Sequence, residues 1–295
     1  MLSFIVAAFC LVLMVGGDAR GEGVGGRGAV AGAERGSVAA PRCNAVVLVY
    51  HRIGEHFRTE SRAQGAMTTT AGELESDLRY LRDNDFKVVP YRAIADCLEG
   101  RAALPPRAAV ITFDDGLINQ YQFAFPMLKR YGMTATFFVV TRRIGVPART
   151  MNWDQLLEMQ QAGMTIGAHT TRHKSLNAMS ETELQADLNN SRADIEENLG
   201  ICPEFIAYPY GHFNPRSLEL IKAAGFRSGR TARWSVEHGR NGAYRVGIVT
   251  SAGLRHVLKK YGSSLGWDGP ADTVAGRANG GASHVVTRGA SGVAR

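Results

Sequence analysis

The sequence predicts an α/β domain whose strands form a mostly parallel sheet, either open or closed into a barrel. Two observations predict it. Short, continuously apolar runs alternate with capped amphipathic helices through the middle of the chain. Four polar clusters come directly after such runs, at the carboxyl ends of strands, where α/β folds collect their chemistry.

The alternation opens at Val46–Tyr50, an apolar run suited to a strand buried on both faces. Thr70 with Glu73 three residues on makes a capping box, and Leu74, Leu78 and Leu81 supply the stripe of the helix it opens. A second buried strand covers 108–113, and a helical stretch runs through Tyr121, Phe125 and Leu128. Residues 134–140, β-branched and aromatic, form a third strand. Trp153–Gln161 is helical and 164–168 a short strand. Ser180 and Glu183 form a second capping box, and the helix carries Leu184, Leu188, Ile195 and Leu199 until Gly200 stops it. A strand at 205–208 and a helix over 215–224, with proline near its start and Gly225 after it, complete the pattern.

The ends of the chain differ from this middle. Residues 2–15 are apolar except for Ser3, and Gly17-Asp18-Ala19 places small residues where a signal peptidase reads, so 1–19 reads as a secretory signal. No Lys or Arg precedes that run; the first is Arg20, and an uncleaved anchor or a buried helix are the alternatives. Residues 20–43, rich in Gly, Ala and Arg, read as a flexible linker, and 269–295 as a disordered tail. The folded domain is then 44–268, with no internal repeat. No apolar run reaches the roughly 18 residues of a spanning helix, which excludes a polytopic membrane protein. Four cysteines without a C-x-x-C exclude a disulfide-framework miniprotein and a zinc ribbon. Cys10 leaves with the signal, and of Cys43, Cys97 and Cys202 one pair can bond outside the cytoplasm, with no assignment from sequence. The formal charge of +7 is a mild excess that suits an anionic surface or polymer.

The polar clusters are Tyr50-His51, Asp114-Asp115-Gly116, His169 with His173, and Tyr208-Pro209-Tyr210-Gly211. A parallel sheet puts all four on one rim. Adjacent carboxylates after a buried strand repel each other and lose hydration, so a cation should compensate them; a divalent metal does so, and the alternative is a helix cap with Gly116 as its turn. The spacing of His169 and His173 brings two imidazoles within reach of one ion, across a helical turn or a tight loop. Two histidines and one carboxylate leave a coordination position open for water, the pattern of a catalytic metal, and the second Asp is then free as a general base. No cysteine stands in a catalytic context, and with a metal-activated water a covalent intermediate is not called for.

Thr112-Phe113-Asp114-Asp115-Gly116, His169-Thr170-Thr171-Arg172-His173 and Tyr208-Pro209-Tyr210-Gly211, in that order, closely resemble the signature motifs of the polysaccharide deacetylase family, carbohydrate esterase family 4. Tyr50-His51-Arg52-Ile53 and Trp153 at a helix start look more like one branch, the exported N-deacetylases of poly-β-1,6-N-acetylglucosamine and related exopolysaccharides. The resemblance covers about residues 46–226. It implies a distorted (β/α) barrel with fewer than eight regular units, and a metal-dependent hydrolase that removes acetyl groups from an N-acetylglucosamine polymer. Carried over, Asp114 is the general base, and Asp115, His169 and His173 bind the metal, Zn2+ first, with Co2+, Ni2+ or Fe2+ also suited to these ligands. Tyr210 polarises the scissile carbonyl through its backbone N–H, Tyr208 and Pro209 shape the acetyl pocket, and Gly211 completes that segment. The implied partner is the glycan, with no nucleic acid, for a monomer that is exported and associates peripherally with the cell envelope or stays anchored by its N-terminal segment.

The chain departs from the pattern where many members place an Arg just before Pro-Tyr-Gly; Ala207 and Tyr208 stand there, and Arg245 is the candidate replacement. Leu254-Arg255-His256 matches a late motif that supplies a general acid, although 251–260 reads as a helix with His256 on its solvated side. His51 is the rival, as acid, hydrogen-bond partner or structural residue. Trp153, Tyr208, Tyr210 and Trp234 are the rings on which a sugar could stack, and His212 and Asn214 lie beside them in sequence. The readings that compete with a glycan deacetylase of this branch are a hydrolase of peptidoglycan, chitin-like chains or a small amide, and a glycan-binding module without activity.

Overall fold

A computed structural model of the chain describes residues 43–55, 67–235, 237–238 and 246–250. In chain order its elements are β1 (Cys43–Asn44), β2 (Val46–Tyr50), β3 (Arg52–Ile53), β4 (Thr68–Thr69), α1 (Ala71–Asp83), β5 (Lys87–Val88), α2 (Tyr91–Leu98) and β6 (Ala108–Asp115). Then come a π-helical turn (Gln120–Ala124), α3 (Phe125–Tyr131), β7 (Thr136–Val139), α4 (Trp153–Gln161), β8 (Thr165–Ala168), α5 (Glu181–Leu199) and β9 (Phe205–Ala207). A single turn at Pro209–Gly211, α6 (Pro215–Ala223), β10 (Ser228–Trp234), β11 (Glu237–His238) and β12 (Val246–Thr250) complete it.

The parallel sheet closes on itself. Pairing runs β2-β12-β10-β9-β8-β7-β6, and β6 pairs again with β2, so seven strands make a ring, with β5 added along the start of β6. This is the distorted (β/α) barrel with fewer than eight units that the motifs imply. Registers of Asp114 with Phe138, Asp115 with Val139, and Val139 with Ala168 bring the carboxyl ends of β6, β7 and β8 to one level.

Alternation within the apolar strands divides the core. Val46, Leu48 and Tyr50 pack outward with Ile111, Phe113 and the helix stripes of Leu74, Leu78, Leu188 and Ile195. Val47, Val49, Val110, Phe138, Phe205 and Ala207 pack in a second cluster with Tyr91, Ile94 and Ala95 of α2. That second cluster fills the ring: Tyr91 packs its ring on Phe138 and Phe205 and lies 3.3 Å from Ser228 Oγ, so α2 plugs the end opposite the carboxyl rim. A disulfide joins Cys43 of β1 to Cys97 of α2, and Cys202 is not part of it.

Both expected capping boxes form, at Thr70/Glu73 and Ser180/Glu183, and Gly200 ends α5 in the left-handed conformation. Several boundaries move: β7 is shorter than the expected 134–140 and β9 ends at Ala207 rather than 208. Strand β6 runs two residues beyond the expected 108–113, because Asp114 and Asp115 still pair with β7. Cys43, expected at the end of a linker, belongs to the fold through β1 and the disulfide. The helical stretch after the Asp pair begins as a π turn whose Gln120 side chain donates to His51 O and Asp114 O. Eight elements were not anticipated: β1, β3, β4, β5, α2, β10, β11 and β12. Among the described residues no helix is long and apolar enough to cross a membrane. The expected signal, the tail, and the 251–260 helix with His256 lie outside the described residues, as does all but the last residue of the expected linker.

The disulfide closes a sequence separation of 54 residues. Loop entropy of that size is worth about 4 kcal/mol. Reduction, or Cys97→Ser, is expected to lower unfolding free energy by about 2–4 kcal/mol; denaturant titration with and without reductant measures it, and an unchanged midpoint contradicts it.

Candidate active site

Asp114 points into the ring from the end of β6 and is 4 % exposed. A carboxylate so placed needs a cation, and β10 supplies one from across the barrel. Arg230, 2 % exposed, donates through Nη2 to Asp114 Oδ1 at 2.5 Å and also to Oδ2. The Arg230 guanidinium lies over the Phe138 ring, 5.3 Å from its centroid. His51, at the end of β2, brings Nε2 to 3.6 Å from Asp114 Oδ2. Burial alone would push the Asp114 carboxyl up, but Arg230, then His169 and His51, override it and hold the group below its ordinary value of 3.8.

Asp115 faces the other way, toward His169 and His173. Its Oδ1 lies 3.8 Å from His169 Nε2 and 3.3 Å from His173 Nε2, and the three residues offer ligand atoms all within 4.8 Å of one another. Asp115 Oδ1 is buried and accepts no hydrogen bond, a costly state for a carboxylate oxygen. His169 Nδ1 is 2.8 Å from Ala207 O; a carbonyl can only accept, so Nδ1 carries the proton and Nε2 presents its lone pair to Asp115. Burial pushes both histidines down, His173 to about 4, so both imidazoles are neutral at pH 7. Two neutral imidazoles and an orphaned carboxylate oxygen fit a divalent metal with open positions. Among the described residues this is the one His/Cys/Asp/Glu group so arranged.

The backbone is held in uncommon conformations to do this. Asp115, Thr170, His173 and Tyr210 all have positive φ, 74°, 63°, 57° and 60°. Buttresses hold them. The buried Asp187 carboxylate of α5 accepts from Thr171 N–H at 2.8 Å and Arg172 Nε at 3.0 Å, and Asp187 O accepts from Thr171 Oγ1. Thr170 Oγ1 accepts from His173 N–H at 3.0 Å, closing the tight loop between the two histidines. The loop after β7 folds back over the Asp pair: Met151 N–H donates to Gly116 O, and Ile118 N–H to Arg149 O.

The segment after β9 forms the remaining wall. Tyr208 is buried and packs on Phe213, while Tyr210 is 60 % exposed and meets the edge of the His173 ring at 4.9 Å. Gly211 N–H donates to Tyr208 O and His212 N–H to Pro209 O; Tyr210 N–H takes part in neither bond. Gly211 has φ +68° with Ala232 backbone against it, where a Cβ would lie 2.9 Å from Ala232 Cα. The structure thus brings together His51, Asp114, Asp115, His169, His173 and Tyr210; Pro209 lies in the same turn, while the Tyr208 side chain packs into the outer core against Phe213. Arg245 and His256 lie outside the described residues. The guanidinium on Asp114 is that of Arg230, which the sequence reading passed over because Ser228-Gly229-Arg230-Thr231 has no apolar run to mark a strand. Trp153, half-buried, packs on the outer core.

Residues 101–229 match the family model for polysaccharide deacetylase. The chain is 26 % identical over 250 residues to a poly-β-1,6-N-acetyl-D-glucosamine N-deacetylase of Staphylococcus aureus (strain MSSA476), covering 77 % of this chain and 83 % of that one. IcaB from Ammonifex degensii superposes with a TM-score of 0.63 at 29 % identity, over 76 % of this chain and 96 % of that one. The de-N-acetylase of Aggregatibacter actinomycetemcomitans gives a TM-score of 0.64 at 25 % identity, over 74 % and 99 %. Residues 101–229 thus match the polysaccharide deacetylase model, and the chain is similar to these deacetylases over about three quarters of its length.

Proposed function

We propose that the protein hydrolyses N-acetyl groups of an N-acetylglucosamine polymer, with β-1,6 linkage as the first candidate on the strength of its relatives. The observation that carries the reading is the buried, unbonded Asp115 Oδ1 between two neutral imidazoles, beside a second carboxylate held ionised by Arg230. Asp115, His169 and His173 hold the divalent ion, Zn2+ first. When bound, such an ion polarises the amide carbonyl and acidifies water.

Asp114 takes the proton of the attacking water. Arg230 fixes its orientation and keeps it ionised, so the base is ready across the neutral pH range. Tyr210 N–H, held in the left-handed turn, donates to the oxygen on which charge develops; one such donor is commonly worth about 3–4 kcal/mol. Water forms the new C–O bond, and the C–N bond breaks as the nitrogen takes the proton that Asp114 removed; the second water proton passes from the new carboxylic acid to the amine, so acetate leaves as the anion and the amine as ammonium. His51, 3.6 Å from Asp114, is the nearest described group to relay the proton from Asp114. Tyr210, exposed beside His173, offers the ring on which a sugar face stacks. The disulfide supports an oxidising compartment, in keeping with export through residues 1–19 and a linker after them.

Acetate release from matched β-1,6 and β-1,4 N-acetylglucosamine oligomers, with chelator and then metal, tests the reading; chelator-sensitive release is expected, faster on the β-1,6 chain. Preference for β-1,4 chains points instead to a peptidoglycan or chitin-like substrate, and silence on all of them to a binding module. Asp114→Asn is expected to cut kcat by about 10²–10⁴-fold while oligomer binding persists. His169→Ala should abolish stoichiometric metal, read by elemental analysis; full retention contradicts its role.

Arg230 generates a pH prediction. Asp114 must be ionised to act, and its folded value lies below 3.8, so activity survives until pH falls through that lowered value. In Arg230→Gln the upward push of burial loses its main opponent, and the acid limb of kcat/KM should move to higher pH. Breaking a buried pair also costs about 3–5 kcal/mol, so Arg230→Lys, which keeps the charge, is the companion variant and should shift the limb less. An acid limb unmoved in both variants excludes Arg230 as the group that holds Asp114 ionised.

A further inference from the structure

Cations are distributed unevenly between the two ends of the ring. At the end where strands begin, arginines are neutralised. Arg227, just before β10, bonds Asp96 and Glu99 and reaches Glu204, which precedes β9. Arg92 also pairs with Glu204, and Arg101 with Asp96 and Glu99. At the carboxyl rim the pattern reverses. The connections after β7, β8 and β9 (140–152, 169–180 and 208–214) carry Arg142, Arg143, Arg149, Arg172 and Lys174 and not one Asp or Glu. Arg172 is paired with Asp187, and Arg143 Nη1 stands 4.0 Å from Asp115 Oδ1. Arg142, Arg149 and Lys174 are exposed; Arg142 and Arg149 make no ion pair among the described residues, and Lys174 lies near Glu183 in the first turn of α5, whose carboxyl it helps to hold below its ordinary value.

These loops border the site directly. Arg142 N–H donates to Thr171 O of the histidine loop at 3.1 Å, and Arg149 O accepts from Ile118 N–H just beyond the Asp pair at 3.0 Å. Like charges held on neighbouring loops repel one another, a standing cost that a fold does not need. It is relieved when a polyanion lies along them. A neutral N-acetylglucosamine chain gives no such relief, and a deacetylated one, which carries ammonium groups, is repelled.

We infer that the loops after β7 and β8 form a binding rim for negative charge on the glycan substrate: the N-acetylated chain that this site takes carries carboxylate or phosphate groups, which Arg142, Arg149 and Lys174 engage while an N-acetyl group lies at Asp114. This rests on the deacetylase reading of the site and narrows its substrate class. Arg143, closest to Asp115, belongs to the inner edge of the rim.

The test is binding of three fluorescent oligosaccharides of equal length to the full chain: a neutral N-acetylglucosamine oligomer, one with interspersed uronic acids, and one bearing phosphate. Anisotropy is read at about 10 mM and about 150 mM salt, where the Debye length falls from about 30 to about 8 Å. The wild type is expected to bind at least one anionic probe about tenfold more tightly than the neutral one at low salt, with the advantage shrinking at high salt. The probe that gains names the anion. Arg142→Ser/Arg149→Ser/Lys174→Ser should erase the advantage and leave neutral binding unchanged, and Arg149→Glu alone should reduce it. Equal binding of all three probes by the wild type, or an advantage that survives in the triple variant, overturns the inference. Binding needs no turnover, so it is decided even if no oligomer releases acetate; release without anionic preference sinks the rim and leaves the deacetylase reading intact.

Discussion

The pair formed by Asp114 and Arg230 is the interaction on which the rest of the site depends. It spans the ring from β6 to β10, strands that are not neighbours, in an interior otherwise filled by Val47, Val110, Phe138 and Phe205. Neither charge would be stable there alone. Together they set a carboxylate at the mouth of an apolar barrel, aimed and ionised before any substrate arrives. Asp115 is then forced to turn away, and the positive φ at Asp115 and Gly116 makes that turn. One residue step, from a strand face into a left-handed turn, separates the two carboxylates into different surroundings, one held by arginine and one left for the histidines.

That second carboxylate explains the strain around it. Asp115, Thr170, His173 and Tyr210 each hold a conformation that costs of order 1 kcal/mol or more for a residue with a side chain. The cost persists because buried groups over-determine it: Asp187 grips Thr171 and Arg172, Thr170 Oγ1 grips His173, and Ala207 O fixes the His169 ring. Most of these restraints arise on α5 and β9, behind the site. Rigid geometry of this kind suits three donors that must stay near one point although their charges and dipoles gain little from one another.

How much of this was legible in the sequence follows from where the physics is local. Capping boxes, apolar strands and a glycine stop are written within a few residues, and Thr70, Ser180, Val46–Tyr50 and Gly200 announce their elements. The stripe of α2, Tyr91, Ile94, Ala95 and Leu98, was equally readable and was passed over beside the two-residue β5. Strand β10 was not readable. Its inward residues are Ser228 and Arg230, chosen for Tyr91 and Asp114 more than a hundred positions away, so no local pattern could mark it. The same distance hid Arg230 from a search for an arginine near Pro-Tyr-Gly. Yet β10 pairs with β9, and Tyr208 N–H bonds Arg230 O, so the guanidinium sits next to that segment in space though not in sequence.

A parallel ring has two chemically distinct ends, and the charges follow the division. The end where strands begin is closed by α2, tied by Cys43–Cys97 and laced with ion pairs among Arg92, Arg101, Arg227, Asp96, Glu99 and Glu204. Exposed pairs of this sort contribute little each, about 0–1 kcal/mol, but they match these three arginines with three carboxylates. The carboxyl end keeps its carboxylates inside, against Arg230 and the histidines, and its cations outside on loops. Among the described residues, a charged chain therefore meets exposed arginines without an ion-pair partner, Arg142 and Arg149, on the loops that border Asp114 and Asp115. The separation follows from topology: every loop at the rim leaves the carboxyl end of a strand, so residues free of any structural partner gather there without disturbing the pairs that hold the opposite end together.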